Sequence, residues 1–118
     1  MRHFIDVDDL TSDELDAVLD RATALKAGAG PAAPEAPLDG ATLAMIFEKP
    51  STRTRVSFET GMTQLGGHAI FLGPDDIQLG HGEPIKDTAR AVSRYVDVIM
   101  GRMFDHDDVV ELAEYATV

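Results

Sequence analysis

The chain has 118 residues, a mass of 12.7 kDa and a formal net charge of −11. That length fits one modest core, and 44% apolar residues exclude a disordered chain. With no cysteine, disulfide frameworks, thiolate metal sites and cysteine nucleophiles are excluded. No apolar run approaches the roughly 18 residues of a membrane span, and the first residues lack the pattern of a signal peptide. The expectation is a soluble, cytoplasmic protein without membrane partners. Its acidity argues against a nucleic-acid binder. The charge is uneven, however. Residues 1–40 carry −6, residues 105–118 carry −5, and residues 41–104 hold seven acids against seven bases. A small anion is therefore to be sought between Lys49 and Arg102, where seven of the ten cations lie.

Thr11-Ser12-Asp13-Glu14 reads as a capping box opening an amphipathic helix over 12–27. Leu15, Val18, Leu19, Ala22 and Leu25 form its apolar stripe. A Gly/Ala/Pro-rich connector follows over 28–40. Thr42–Phe47 is a continuous apolar run, which predicts a strand buried on both faces. After Pro50, Ser51 or Thr52 can cap a helix running to about Leu65. Its expected buried face is Val56, Phe58, Met62 and Leu65, and Gly66-Gly67 ends it. His68–Leu72 predicts a second buried strand. Residues 73–83 form a polar loop long enough to suggest function. A helix over Ile85–Tyr95, a strand over Val96–Met100 and a helix over Asp107–Tyr115 complete the series. Alternating strands and helices predict an α/β fold: a parallel β-sheet with helices on both faces. Ligands in such sheets bind beyond the carboxyl ends of the strands.

One such end carries the strongest signal. In Phe47-Glu48-Lys49-Pro50-Ser51-Thr52-Arg53-Thr54-Arg55 a buried strand runs into a helix start rich in hydroxyls and arginine. The first N–H groups of a helix lack intrahelical partners and, with the helix dipole, attract an anion. Arg adds a fork that matches phosphate. The plainer reading is a capped helix with a surface Arg. Arg102, at the third strand end, is either a second cation for the same site or a solvated loop residue. His3, His68, His81 and His106 are isolated and form no metal pattern. No Ser-His-Asp arrangement can be argued.

The segment FEKPSTRTRVSF, residues 47–58, resembles the carbamoyl-phosphate signature of the aspartate and ornithine carbamoyltransferases. Residues 59–72, residues 76–90, and Ser93-Arg94-Tyr95 with Asp97–Met100 and Arg102 are similar to the ornithine branch. So is Gln78, where the aspartate branch typically offers a Ser and a Lys. The resemblance implies that Ser51, Thr52, Arg53 and Thr54 hold the phosphate of carbamoyl phosphate. Arg53 and Thr54 would also reach the carbamoyl oxygen, Arg102 would bind from the third strand, and Gln78 would come from the adjacent subunit of a homotrimer. Arg55 would be structural. Arg53, Thr54 and Arg102 are the implied catalytic residues, with ornithine as the acceptor and no cofactor or metal. The resemblance also implies that residues 1–118 are the N-terminal, incomplete carbamoyl-phosphate-binding domain, without the ornithine-binding domain, and inactive alone. A non-catalytic anion-binding or assembly fragment, or a carbamoyltransferase with another amine acceptor, are the competing readings.

Overall fold

A computed structural model describes residues 2–28, 36–77 and 84–118. A short 3-10 turn, Val7–Asp9, precedes helix α1, Ser12–Gly28. Strand β1 (Thr42–Phe47), helix α2 (Thr52–Gln64), strand β2 (His68–Leu72), helix α3 (Ile85–Ser93), strand β3 (Val98–Arg102) and helix α4 (His106–Tyr115) follow. The three strands are parallel, in the order β2-β1-β3.

The expected α/β fold is present, and β1 is its centre. Residues Leu43 to Phe47 are all buried. Leu43, Met45 and Phe47 pack with Met62 of α2 on one face. Ile46 packs with Ala89 of α3 and Leu112 of α4 on the other. An unbroken apolar run is what a strand covered on both faces and paired on both edges requires.

The two outer strands differ from expectation. β2 is half-exposed rather than buried, with Ile70 at 36%, and β3 is half-exposed as well, with Val98 at 41%. Among the described residues each is paired only with β1 and keeps an open edge. β3 also lies two residues later than the apolar run suggests. Asp97 ends the preceding turn: its carboxylate accepts from the Thr42 N–H (2.9 Å), and its own N–H donates to the Thr42 carbonyl (2.9 Å). Pairing then runs from Leu43↔Val98 to Phe47↔Arg102. The strand therefore continues through Gly101, where an added Cβ would lie 3.2 Å from Leu112 Cδ2 of α4.

α3 stops at Ser93 because its end tightens into i→i+3 bonds, Arg94 N–H to Ala91 and Tyr95 N–H to Val92. Of the face expected to bury α2, only Met62 is buried; Val56 and Phe58 are exposed. A cavity of about 320 Å³ opens beside Phe58 and Leu65, with Leu38 in its lining. Gly66 ends this helix with φ +91°, a conformation that glycine adopts at little cost.

α1 forms as its capping box dictates. The Glu14 N–H donates to the Thr11 hydroxyl (3.2 Å), and the Thr11 N–H donates to the Glu14 carboxylate (3.0 Å). The apolar stripe does not become core, however: α1 has no buried residue, and Val18 and Leu19 are exposed. Arg2 forks onto the Glu14 carboxylate, and together with the Thr11 N–H it lowers the Glu14 carboxyl to about 2. A depressed carboxyl stabilises the fold above its ordinary range near 4.5, and that contribution is lost as pH falls toward 2. Helix content followed by circular dichroism should therefore decline between those values, and Glu14→Gln should remove this part of the decline. Superimposable acid profiles for the two proteins would refute the assignment.

Candidate functional site

Parallel pairing puts the carboxyl ends of all three strands on one side of the sheet. At β1 the chain leaves the core after Phe47 and turns through Glu48, Lys49 and Pro50. Ser51 is extended (φ −156°, ψ 98°), and α2 begins at Thr52. Proline at this point prevents the strand from continuing, and helical torsions begin at Thr52.

Ser51 stands at the N-cap but does not cap. Its hydroxyl donates instead to the Thr54 hydroxyl (2.9 Å), and no side-chain cap bond closes the helix. The first intrahelical donor is the Arg55 N–H, bonded to the Ser51 carbonyl at 3.0 Å. The N–H groups of Thr52, Arg53 and Thr54 thus precede the helical ladder, and their dipoles converge beyond the turn. Ser51 and Thr54 are half-buried, while Thr52 and Arg53 are exposed. This corrects the expectation that Ser51 or Thr52 closes the helix. It also favours an anion cradle over an ordinary capped start, because an N-cap bond would occupy one of those donors.

Arg102 is the last residue of β3 and pairs in register with Phe47. It lies inside the strand rather than in a loop. It is half-buried, and its Nε has no hydrogen-bond partner among the described residues. A guanidinium donor desolvated without an acceptor is costly unless an anion supplies one. The two strand ends are tied together by the Glu48 N–H, which donates to the Arg102 carbonyl at 2.9 Å. Arg53 and Arg102 therefore belong to neighbouring strand ends, as the order β2-β1-β3 requires.

Arg55 turns away from this site. Its guanidinium lies 3.7 Å from the Phe71 ring centroid, and its Nε is 3.4 Å from Glu59 Oε1. That is the structural pairing anticipated for it. Gln78 lies outside the described residues.

Two residues of the turn, Glu48 and Lys49, have a partner that the sequence did not indicate. The Glu48 carboxylate accepts from the Phe104 N–H (3.4 Å), and the Lys49 ammonium sits 5.7 Å from the Phe104 ring centroid. Their partner is more than fifty positions away, so no local pattern could reveal them. A cavity of about 410 Å³ opens here, lined in part by Lys49, Arg102, Phe104 and His106. Residues 51–54 are not part of that lining; the two neighbouring strand ends together carry the free helix donors, the hydroxyls of Ser51, Thr52 and Thr54, and the cations Lys49, Arg53 and Arg102. That set can bind a phosphate and polarise an attached carbonyl oxygen.

Comparison with known proteins points the same way. Residues 2–118 match the family model described as aspartate/ornithine carbamoyltransferase, carbamoyl-P binding domain. A relative named ornithine carbamoyltransferase from Haloquadratum walsbyi is 67% identical over 98% of this chain, and the chain spans 37% of that protein's length. The structure of ornithine carbamoyltransferase from Pyrococcus furiosus superposes with a TM-score of 0.93 at 53% identity. That superposition covers 99% of this chain and 37% of the other. The catalytic subunit of M. jannaschii aspartate transcarbamoylase is also similar, at 35% identity and a TM-score of 0.88. That match covers 100% of this chain and 39% of the other.

Proposed function

The chain belongs to the aspartate/ornithine carbamoyltransferase family, and on that premise we propose that residues 1–118 form the carbamoyl-phosphate-holding part of a cytoplasmic ornithine carbamoyltransferase. The observation that carries this reading is the uncapped start of α2 beside the unpartnered guanidinium donor of Arg102. Ser51, Thr52, Arg53 and Thr54 hold the phosphate, with Arg102 binding from the neighbouring strand. Gln78 is supplied by an adjacent subunit of a homotrimer.

In the whole protein, the lone pair of the ornithine δ-amine attacks the carbonyl carbon of carbamoyl phosphate. The tetrahedral centre carries negative charge on the former carbonyl oxygen. Arg53, with Thr54 and the helix donors, stabilises that oxyanion. The carbon–oxygen bond to phosphate then breaks, the nitrogen loses a proton, and citrulline and phosphate leave. The cations that held the phosphate also offset the charge it gains on leaving. Holding two reactants in line lowers the entropic part of the barrier, so the protein needs no nucleophile of its own.

The similarity to both ornithine and aspartate enzymes shows that this fold serves both acceptors. Ornithine is favoured by the 67% identity to a relative bearing that name. The 118-residue chain is expected to bind carbamoyl phosphate at a single saturable site and to form no citrulline alone. Calorimetric titration with carbamoyl phosphate and a citrulline assay test both statements. Absence of saturable binding would overturn the site, and citrulline formation by the pure chain would overturn the division of labour.

A further inference from the structure

We propose that Phe104 is a positioning residue for carbamoyl phosphate, acting through Lys49 to keep Arg102 in register with the 51–54 cradle. The inference rests on the function proposed above and adds a residue that does not itself touch the anion. Three links join two consecutive residues of the β1–α2 turn to the end of β3. The Glu48 N–H donates to the Arg102 carbonyl at 2.9 Å. The Glu48 carboxylate accepts from the Phe104 N–H at 3.4 Å. The Lys49 ammonium lies over the Phe104 ring, 5.7 Å from its centroid. The first link belongs to the sheet, and the other two lie beyond it, where the backbones of the two turns would otherwise diverge.

Phe104 is 68% exposed, although it neighbours the buried Met103. Burial therefore does not explain an aromatic ring at this position, and its contact with Lys49 does. A cation over a ring face is held electrostatically within about 6 Å. Here the contact fixes Lys49 immediately before Pro50 and Ser51, while the peptide of Phe104 follows Arg102 and Met103. A binding site assembled from two turns loses affinity when those turns move independently, because the anion must then bear the cost of ordering them.

The test is an amide NMR titration of the 118-residue chain with carbamoyl phosphate, which reports affinity and fold together. Phe104→Leu should bind about two- to five-fold more weakly, the range for an exposed cation–π contact. Phe104→Tyr, which keeps the ring face, should bind like the unaltered chain. In an Arg102→Ala background, Phe104→Leu should cause no further loss, since no guanidinium remains to be positioned. Unchanged affinity in Phe104→Leu, or the same loss with and without Arg102, overturns the proposal. If Arg53→Ala and Arg102→Ala weaken binding while Phe104→Leu does not, only the positioning role falls. If Arg53→Ala and Arg102→Ala bind normally, the proposed function falls and takes this role with it.

Discussion

Arg53→Ala is expected to weaken carbamoyl-phosphate binding by roughly 10- to 150-fold, the range for a lost hydrogen bond to a charged group. Arg53 is exposed in the first turn of α2. Truncating it leaves no cavity and orphans no partner among the described residues, so the denaturation midpoint should hardly change. Arg55→Ala is the matching control two residues on. It removes the stack on Phe71 and the pair with Glu59, so it should lower stability more than affinity. Arg53→Lys keeps the charge but loses the two-pronged fork, and it should fall between Ala and the unaltered chain. In the whole protein the oxyanion role proposed for Arg53 predicts a loss of about 10²- to 10³-fold in kcat for Arg53→Ala. Calorimetry on the three variants checks the assignment. Equal affinity for Arg53→Ala and the unaltered chain would end the role given to Arg53.

Phe47→Ala is expected to cost about 3–5 kcal/mol of folding stability, the usual range for emptying an aromatic site in a core. Phe47 is 2% exposed and closes the inner face of β1. Its ring lies 5.3 Å from that of Phe71, tilted by 44°, and it shares a cluster with Leu43, Met45 and Met62. Typical domains have only about 5–15 kcal/mol in hand, so this single change should leave the chain largely unfolded at moderate denaturant. Phe47→Leu fills much of the same volume and should retain most of the stability. Urea denaturation of both variants reads the difference, and a loss below about 1 kcal/mol for Phe47→Ala would contradict the packing described. The position also matters for binding, because Phe47 is the register partner of Arg102. Loosening it should weaken the anion site even where the chain stays folded.

Much of the fold was legible because its signals are local. The apolar run of β1 and the 68–72 run of β2 coincide with the strands formed. The capping box of α1 and the glycine pair after α2 act within a few residues, and both are found as read. Errors arose where the outcome depended on a distant partner. β3 starts at Val98 because Asp97 bonds to Thr42, and it runs through Arg102 because β1 extends to Phe47. Apolarity alone placed it two residues early.

Periodicity identified the apolar stripes of α1 and α2 but not what they meet. Val18, Leu19, Val56 and Phe58 are exposed. An amphipathic pattern records a preference for burial, and only a neighbour can satisfy it.

The sequence by itself determined the order of strands and helices, the placement of hydroxyls and arginine at a strand-to-helix turn, and the neutral middle of an acidic chain. Those properties depend on residue type and short spacing. Tertiary structure alone decided that Ser51 bonds to Thr54 instead of capping the helix, and that Arg102 ends a strand beside β1 with its Nε unpartnered among the described residues. It alone decided that Glu48 and Lys49 meet Phe104. The Arg102 and Phe104 contacts follow from parallel pairing of β1 with β3, which brings together residues more than fifty positions apart.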